Sequence, residues 1–146
     1  MNEAVASTHT LIRVHDRTSI QNAAQLMCDM SIGAVGVDDA EGRLVGLITE
    51  RDLLWTIAER LDPSTDVKEV MNPEPVVVDG PVSPAEALEV MVSGHFRHLI
   101  VREGDDDLRI LSMRDLSAST DTDSISHGMN QHAASASELR RMFGSI

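Results

Sequence analysis

The chain has no tyrosine, two phenylalanines, one tryptophan and a single cysteine among its 146 residues. So few aromatic rings cannot build a base-stacking platform for single-stranded nucleic acid. Cys28 has no second thiol to pair with, which excludes an internal disulfide framework and fits a reducing compartment. Basic residues are scarce as well: 12 against 24 acids leave a net charge of −12. Such a surface repels nucleic-acid phosphates and anionic lipid, so neither is an expected partner. A pocket for a small anion is a separate matter, because one or two placed cations suffice. No apolar run approaches the ~20 residues that cross a bilayer. The opening MNEAVASTHTLIRVHDRTSI carries an early acid and lacks the basic start and apolar stretch of a signal peptide. A cytoplasmic location is the expectation. What is present, 42% hydrophobic and 25% charged residues, belongs to a soluble globular protein. The length suits one compact unit or two half-sized units sharing a core.

One phrase occurs twice. Gly46-Leu47-Ile48-Thr49-Glu50-Arg51-Asp52-Leu53 returns as Arg109-Ile110-Leu111-Ser112-Met113-Arg114-Asp115-Leu116. Thr49 and Ser112 are 63 apart, as are Asp52 and Asp115. Val14 and Val77, Asp16 and Asp79, and Ala24 and Ala87 keep the same spacing of 63. This reads as a duplication. The expected layout is an N-terminal extension (1–9), a first repeat (10–65), a second repeat (66–118) and a polar tail (119–146).

Each repeat predicts the same order of elements, β-α-β-β-α, and hence a mixed α/β (α+β) fold. Short β-branched runs at 11–14 and 76–78 suit strands. Ser19 and Ser83 stand at helix starts, with Pro84 where its missing N–H costs nothing. Ile20, Ala23, Ala24, Met27 and Met30 follow at helical spacing, as do Ala85, Leu88, Met91 and Val92. Strands are expected at 34–37 and 98–101, then turns rich in Asp and Gly, then strands at 43–49 and 108–112. A last helix begins after each hydroxyl, through Leu53, Leu54, Ile57, Ala58 and Leu61 in the first repeat. Asn72-Pro73-Glu74-Pro75 interrupts helix and marks the join. The tail is crowded with Ser, Thr, Asp, Ala and Asn and has little apolar content to offset ordering. Its end, Ser137-Glu138-Leu139-Arg140-Arg141-Met142-Phe143, suits a short capped helix. The tail is thus either disordered or a docking segment.

Thr49-x-x-Asp52 and Ser112-x-x-Asp115 each lie where a strand passes into a helix. One reading is a helix cap, with the hydroxyl on the N3 amide and the carboxylate reaching back. The other is a ligand site, because a helix start offers free N–H groups to phosphate and an aspartate can accept from two ribose hydroxyls. Physics alone leaves both open.

The element order, the repeated phrase and the small residues Gly33-Ala34-Val35-Gly36-Val37 resemble tandem CBS domains, which pair with pseudo-two-fold symmetry into a Bateman module. The resemblance covers about 10–118. It implies a regulatory binder of an adenosine-containing ligand (AMP, ADP or ATP, with S-adenosylmethionine or NAD as alternatives) rather than an enzyme. It further implies no required cofactor, a homodimer forming a four-repeat disc, and a regulated partner protein. By the same resemblance, the better furnished cleft would place Thr18, Ala23, Ile32, Gly33 and Ile110 around the base. Ser112 would meet phosphate, Asp115 would clasp the ribose, and Arg97 and His98 would form a cationic pair for phosphates. The symmetric cleft would use Leu47, Thr49 and Asp52 with Val82, Ala87, Phe96 and Arg97, and is expected to be weaker because Gly33-Ala34 replaces Arg97-His98. Arg109 stands where the first repeat has Gly46 and either narrows the preferred cleft or adds a cation there.

Other chemistry finds little support. Cys28 reads as a packing residue with no base beside it. His127 and His132 are five apart and lack a ligand cluster, so no metal site is expected. Asp121-Thr122-Asp123 fails as a calcium loop, with Ser126 and His132 at the positions that require Gly and Glu. No nucleophile, base and orienter can be assembled, which disfavours an enzyme. Leu53, Leu54, Ile57 and Met91 are candidates for packing against a partner subunit. A ligand-free scaffold is the competing reading.

Overall fold

A computed structural model describes residues 4–120. The tail beyond it, with the helix expected at 137–143 and both tail histidines, lies outside the described residues. Two four-stranded sheets carry the chain, and each repeat supplies one sheet and two helices. The first repeat contains β2 (Arg13–His15), α1 (Ile20–Met30), β3 (Ala34–Asp38), β4 (Leu44–Thr49) and α2 (Glu50–Ala58). The second contains β6 (Val77–Asp79), α3 (Pro84–Gly94), β7 (His98–Arg102), β8 (Leu108–Ser112) and α4 (Met113–Thr120). In both, the first strand pairs parallel to the second, which pairs antiparallel to the third.

Two short strands change partners. β1 (His9–Thr10) precedes the first repeat but pairs with β8 of the second, whereas β5 (Asn72–Pro73) leaves the linker to pair with β4 of the first. Residues ahead of Leu11 are therefore built into the second repeat's sheet. Ala6 is buried in that repeat's core, and its N–H donates to the Val82 carbonyl at 2.8 Å. The Asn-Pro-Glu-Pro stretch ends a 3₁₀ turn (Val67–Glu69) and begins an edge strand, where proline's missing donor does no harm.

Local signals account for the helices. Ser19 accepts from the Asn22 N–H at 3.0 Å at the start of α1, and Ser83 and Glu86 form a reciprocal capping box on α3, with Pro84 in its first turn. Both helices end on a left-handed residue, Ser31 and His95. Ile20, Ala23 and Met27 face the first core, and Ala87 and Met91 face the second. A third apolar cluster of Leu11, Ala34, Leu47 and Ile100 joins the two repeats.

These equivalences correct part of the expected register. Ala23, not Ala24, matches Ala87, and β3 matches β7, so this stretch of the repeat is spaced by 64. A β-bulge after Val37 in the first repeat restores 63 from Gly46 and Arg109 onward. Two packing expectations also change. Cys28 is exposed, because positions 20, 23 and 27 take the core face of α1. Met91 is fully buried in the second core and Leu53 packs on the first, so neither offers a free face, whereas Leu54 and Ile57 are exposed together with Trp55.

Candidate functional site

A cleft of about 1260 Å³ opens between the repeats. From the second repeat it is lined by Arg97, His98, Ile110, Ser112, Arg114 and Asp115; from the first come Ile32, Gly33 and Glu50. Seven of the nine residues expected at the preferred site thus meet in one place. Thr18 and Ala23 do not line this cleft. Ala23 is fully buried in the first core, and Thr18 sits in the turn before α1, where its carbonyl accepts from the Val67 N–H at 2.7 Å. The α1 residues that do line the cleft are Ala24, Met27 and Cys28.

The strand-to-helix corner of the second repeat is a complete cap. Asp115 Oδ2 accepts from the Ser112 N–H at 2.7 Å and from its hydroxyl at 3.0 Å, while the Asp115 N–H donates to Ser112 Oγ at 3.3 Å. Thr49 and Asp52 make the same three contacts at 2.8, 2.9 and 3.3 Å. Each cap fixes its helix start, and in each the hydroxyl proton already points at the carboxylate. A phosphate at Ser112 must therefore turn that hydroxyl away from Asp115.

Arg97 lies at the start of β7, where its carbonyl accepts from the Met113 N–H at 2.8 Å. Its side chain is exposed in the cleft and forms no ion pair among the described residues, although acids outnumber bases two to one. Arg114 is in the same position. His98 behaves differently from a second cation. Burial pushes its pKa below the ordinary value, against the opposing pull of Glu50, Asp115 and Asp52 and with a smaller push from Arg97. It is a neutral imidazole at pH 7, so the expected cationic pair is one arginine beside one hydrogen-bonding ring. Gly33 keeps the floor open: a Cβ there would lie 3.5 Å from His98 Nε2 and 3.6 Å from the Glu50 carboxyl carbon.

Arg109 neither narrows the cleft nor adds a cation to it. Its guanidinium turns away to the Thr8 hydroxyl at 2.8 Å and carbonyl at 3.1 Å, with Glu103 and Asp107 within 4 Å. The first repeat explains the exchange, since a side chain at Gly46 would run into the sulfur of Met71. Thr8 holds the corresponding place beside Arg109, and the smaller neighbour admits the longer side chain.

The residues expected around the second cleft are mostly committed to packing. Leu47 belongs to the cluster between the repeats, Val82 and Ala87 are buried in the second core, and Phe96 packs against it. Thr49 and Asp52 remain partly exposed, and Asn72 donates its side-chain amide to Asp52 Oδ2 at 3.0 Å. Among the described residues no group of three or more His, Cys, Asp and Glu is placed to hold a metal ion.

A family model described as CBS domain matches residues 3–59 and 67–119, one stretch for each sheet-and-helix unit. The chain belongs to the CBS domain family. As a CBS pair it resembles the uncharacterized protein YlbB of Bacillus subtilis, at 34% identity over 120 residues, 81% of this chain and 76% of that one. It spans only 19% of the longer Arabidopsis thaliana CBS domain-containing proteins that it also matches. The crystal structure of the CBS-domain protein ATU1752 from Agrobacterium tumefaciens superposes with a TM-score of 0.69 at 31% identity, over 76% of this chain and 90% of that one. The Pyrobaculum aerophilum CBS protein PAE2072, solved complexed with AMP, shares the fold with a TM-score of 0.67 at 24% identity, over 73% and 83% of the two chains.

The cleft residues that escape a reading of the sequence alone include three with acidic or basic side chains, His9, Glu50 and Arg114. Glu50 and Arg114 stand inside the repeated phrase, so the phrase itself carried their signal. His9 is the counterpart of Asn72 at the spacing of 63, a symmetry that becomes meaningful only once both strands are seen to cross.

Proposed function

We propose that this CBS pair is a regulatory module that senses an adenine nucleotide of the AMP, ADP or ATP class and passes its occupancy to a partner protein. The observation that carries the reading is the arrangement at one cleft: an arginine without an acid partner and an aspartate one helical turn into α4, with a glycine-lined apolar floor opposite. Arg97 takes the phosphate and Asp115 the ribose, while Ile32 and Ile110 bracket the base, with Gly33 leaving room. A cleft of about 1260 Å³ is at or above the roughly 300–1,000 Å³ of ordinary ligand pockets, a volume sufficient for a nucleotide. Because the lining comes from both repeats, a bound ligand favours whichever arrangement of the repeats closes on it.

The module acts as a sensor and not as a catalyst. It is cytoplasmic, and it pairs as a homodimer through helix faces such as that of α2, whose exposed Leu54 and Ile57 also border the cleft. Among the described residues no helix is long and apolar enough to cross a membrane.

Thermal melts with AMP, ATP, NAD and S-adenosylmethionine test the reading. At 100 times the Kd the stabilisation is ~2.7 kcal/mol. The expected order puts AMP or ATP first. A melt unmoved by all four would favour a ligand-free scaffold, the reading supported by the complete caps at both Ser/Thr-x-x-Asp corners.

A further inference from the structure

His9 reaches the cleft by an indirect route. It comes ahead of β2, yet β1 lies against β8 with His9 opposite Ile110. Residues directly opposed on antiparallel strands share a face, and so do residues two apart on one strand. His9 is thereby on the face of Ile110 and Ser112. Its Nε2 sits 3.3 Å from Asp115 Oδ1. The other carboxylate oxygen already accepts twice from Ser112, at 2.7 and 3.0 Å. Oδ1 is the oxygen left for a ligand, and His9 stands on it.

The strand beneath His9 is fastened: Ala6 is buried and bonded to Val82, and Arg109 grips Thr8 twice. The imidazole is not, with 67% of its side chain exposed against 25% for Asp115. A contact that open is weak, and the ring can swing away while the backbone stays.

We propose that His9 is an affinity-setting residue of the nucleoside end of the cleft, occupying Asp115 Oδ1 until a ribose hydroxyl takes it. The inference rests on the proposed nucleotide function and adds to it a competitor drawn from the protein itself. The vicinal diol of a ribose offers two donors to one carboxylate and displaces the single imidazole contact. The other half of the molecule supplies a contrast, because Asn72, at the matching position, donates to Asp52 Oδ2, the oxygen already used by the cap, and not to Oδ1.

Titration calorimetry of the full chain with AMP and with adenosine tests this on the wild type, His9→Ala and His9→Asn, with melts confirming that each is folded. His9→Ala is expected to bind both compounds roughly three-fold more tightly, the scale allowed by an exposed contact. His9→Asn places its amide on the cap oxygen, as Asn72 does at Asp52, and is expected to tighten binding as His9→Ala does. Unchanged or weaker binding by His9→Ala, with the wild type binding normally, overturns the role of His9 and leaves the nucleotide reading standing. A gain for AMP without one for adenosine also overturns it, by moving His9 to the phosphate end. If neither compound binds any of the three proteins, the nucleotide reading and this inference fall together.

Discussion

The two Ser/Thr-x-x-Asp corners are nearly superimposable in their internal hydrogen bonds and unlike in what surrounds them. At Thr49 and Asp52 the neighbours are a buried Leu47 and the amide of Asn72. At Ser112 and Asp115 they are an exposed Arg97, an exposed Arg114, the low-pKa His98 and the movable ring of His9. The caps alone explain why both copies of the phrase fold as they do. What differs is Arg97 and His98 beside the second corner, where the first has Gly33 and Ala34; the exposed Arg114 has its counterpart in the exposed Arg51. A duplicated motif here preserves a structural job in both places, and the difference between them comes from residues outside the motif.

Removing Arg97 should separate the corners most sharply. A charge-assisted hydrogen bond contributes about 1.5–3 kcal/mol, so Arg97→Ala should weaken AMP by roughly 10- to 150-fold and adenosine far less. Equal losses for both ligands would place Arg97 against the base or in support of the fold. Next in size, Asp115→Ala should weaken AMP about ten-fold while Asp52→Ala changes it less than about two-fold, since only the first aspartate faces the furnished cleft. Calorimetry on both variants reads the difference, and equal losses would abolish the ranking of the clefts.

Stability measurements should erase the contrast instead of enlarging it. Thr49→Ala and Ser112→Ala each remove the hydroxyl of a complete cap and should each cost about 1 kcal/mol in denaturant melts. A much smaller cost at Ser112 would mean that its cap is secondary to another role.

The smallest effect belongs to pH. His98 has a folded pKa below its ordinary 6.5, chiefly from burial, so the folded state binds fewer protons than the unfolded one just below pH 6.5. Stability should fall as pH drops through that window. A phosphate arriving beside the ring favours its protonated form, so AMP binding should take up protons and tighten a few-fold as pH falls from 7 to 6. AMP titrates in the same range, and the diagnostic is therefore the difference between the wild type and His98→Asn, which should lose this component. Parallel profiles would show that His98 does not face the phosphate.

Much of this arrangement is legible in the primary structure. Ser19, Ser83 with Glu86, and the two repeated corners mark four helix starts, and β-branched runs mark the paired strands. Arg97, Ile110, Ser112 and Asp115 can be named through the resemblance to CBS domains, which the repeated phrase carries. Other features resist such reading. Whether Ala23 or Ala24 matches Ala87 turns on a bulge after Val37, a single extra residue that leaves no compositional mark. The direction of Arg109 depends on Thr8, about a hundred positions away.

The amino-acid order by itself determined the duplication, the element types, the caps and the side chains able to meet a nucleotide. Those properties arise from neighbours within a few positions, through hydrogen-bond capping and hydrophobic period, and are written locally. The path of the chain decided the rest. β1 and β5 each cross to the opposite sheet, and that exchange carries His9 to Asp115 and Asn72 to Asp52. It also leaves Arg109 beside Thr8 and Gly46 beside Met71, contacts between distant segments that only the folded topology brings about.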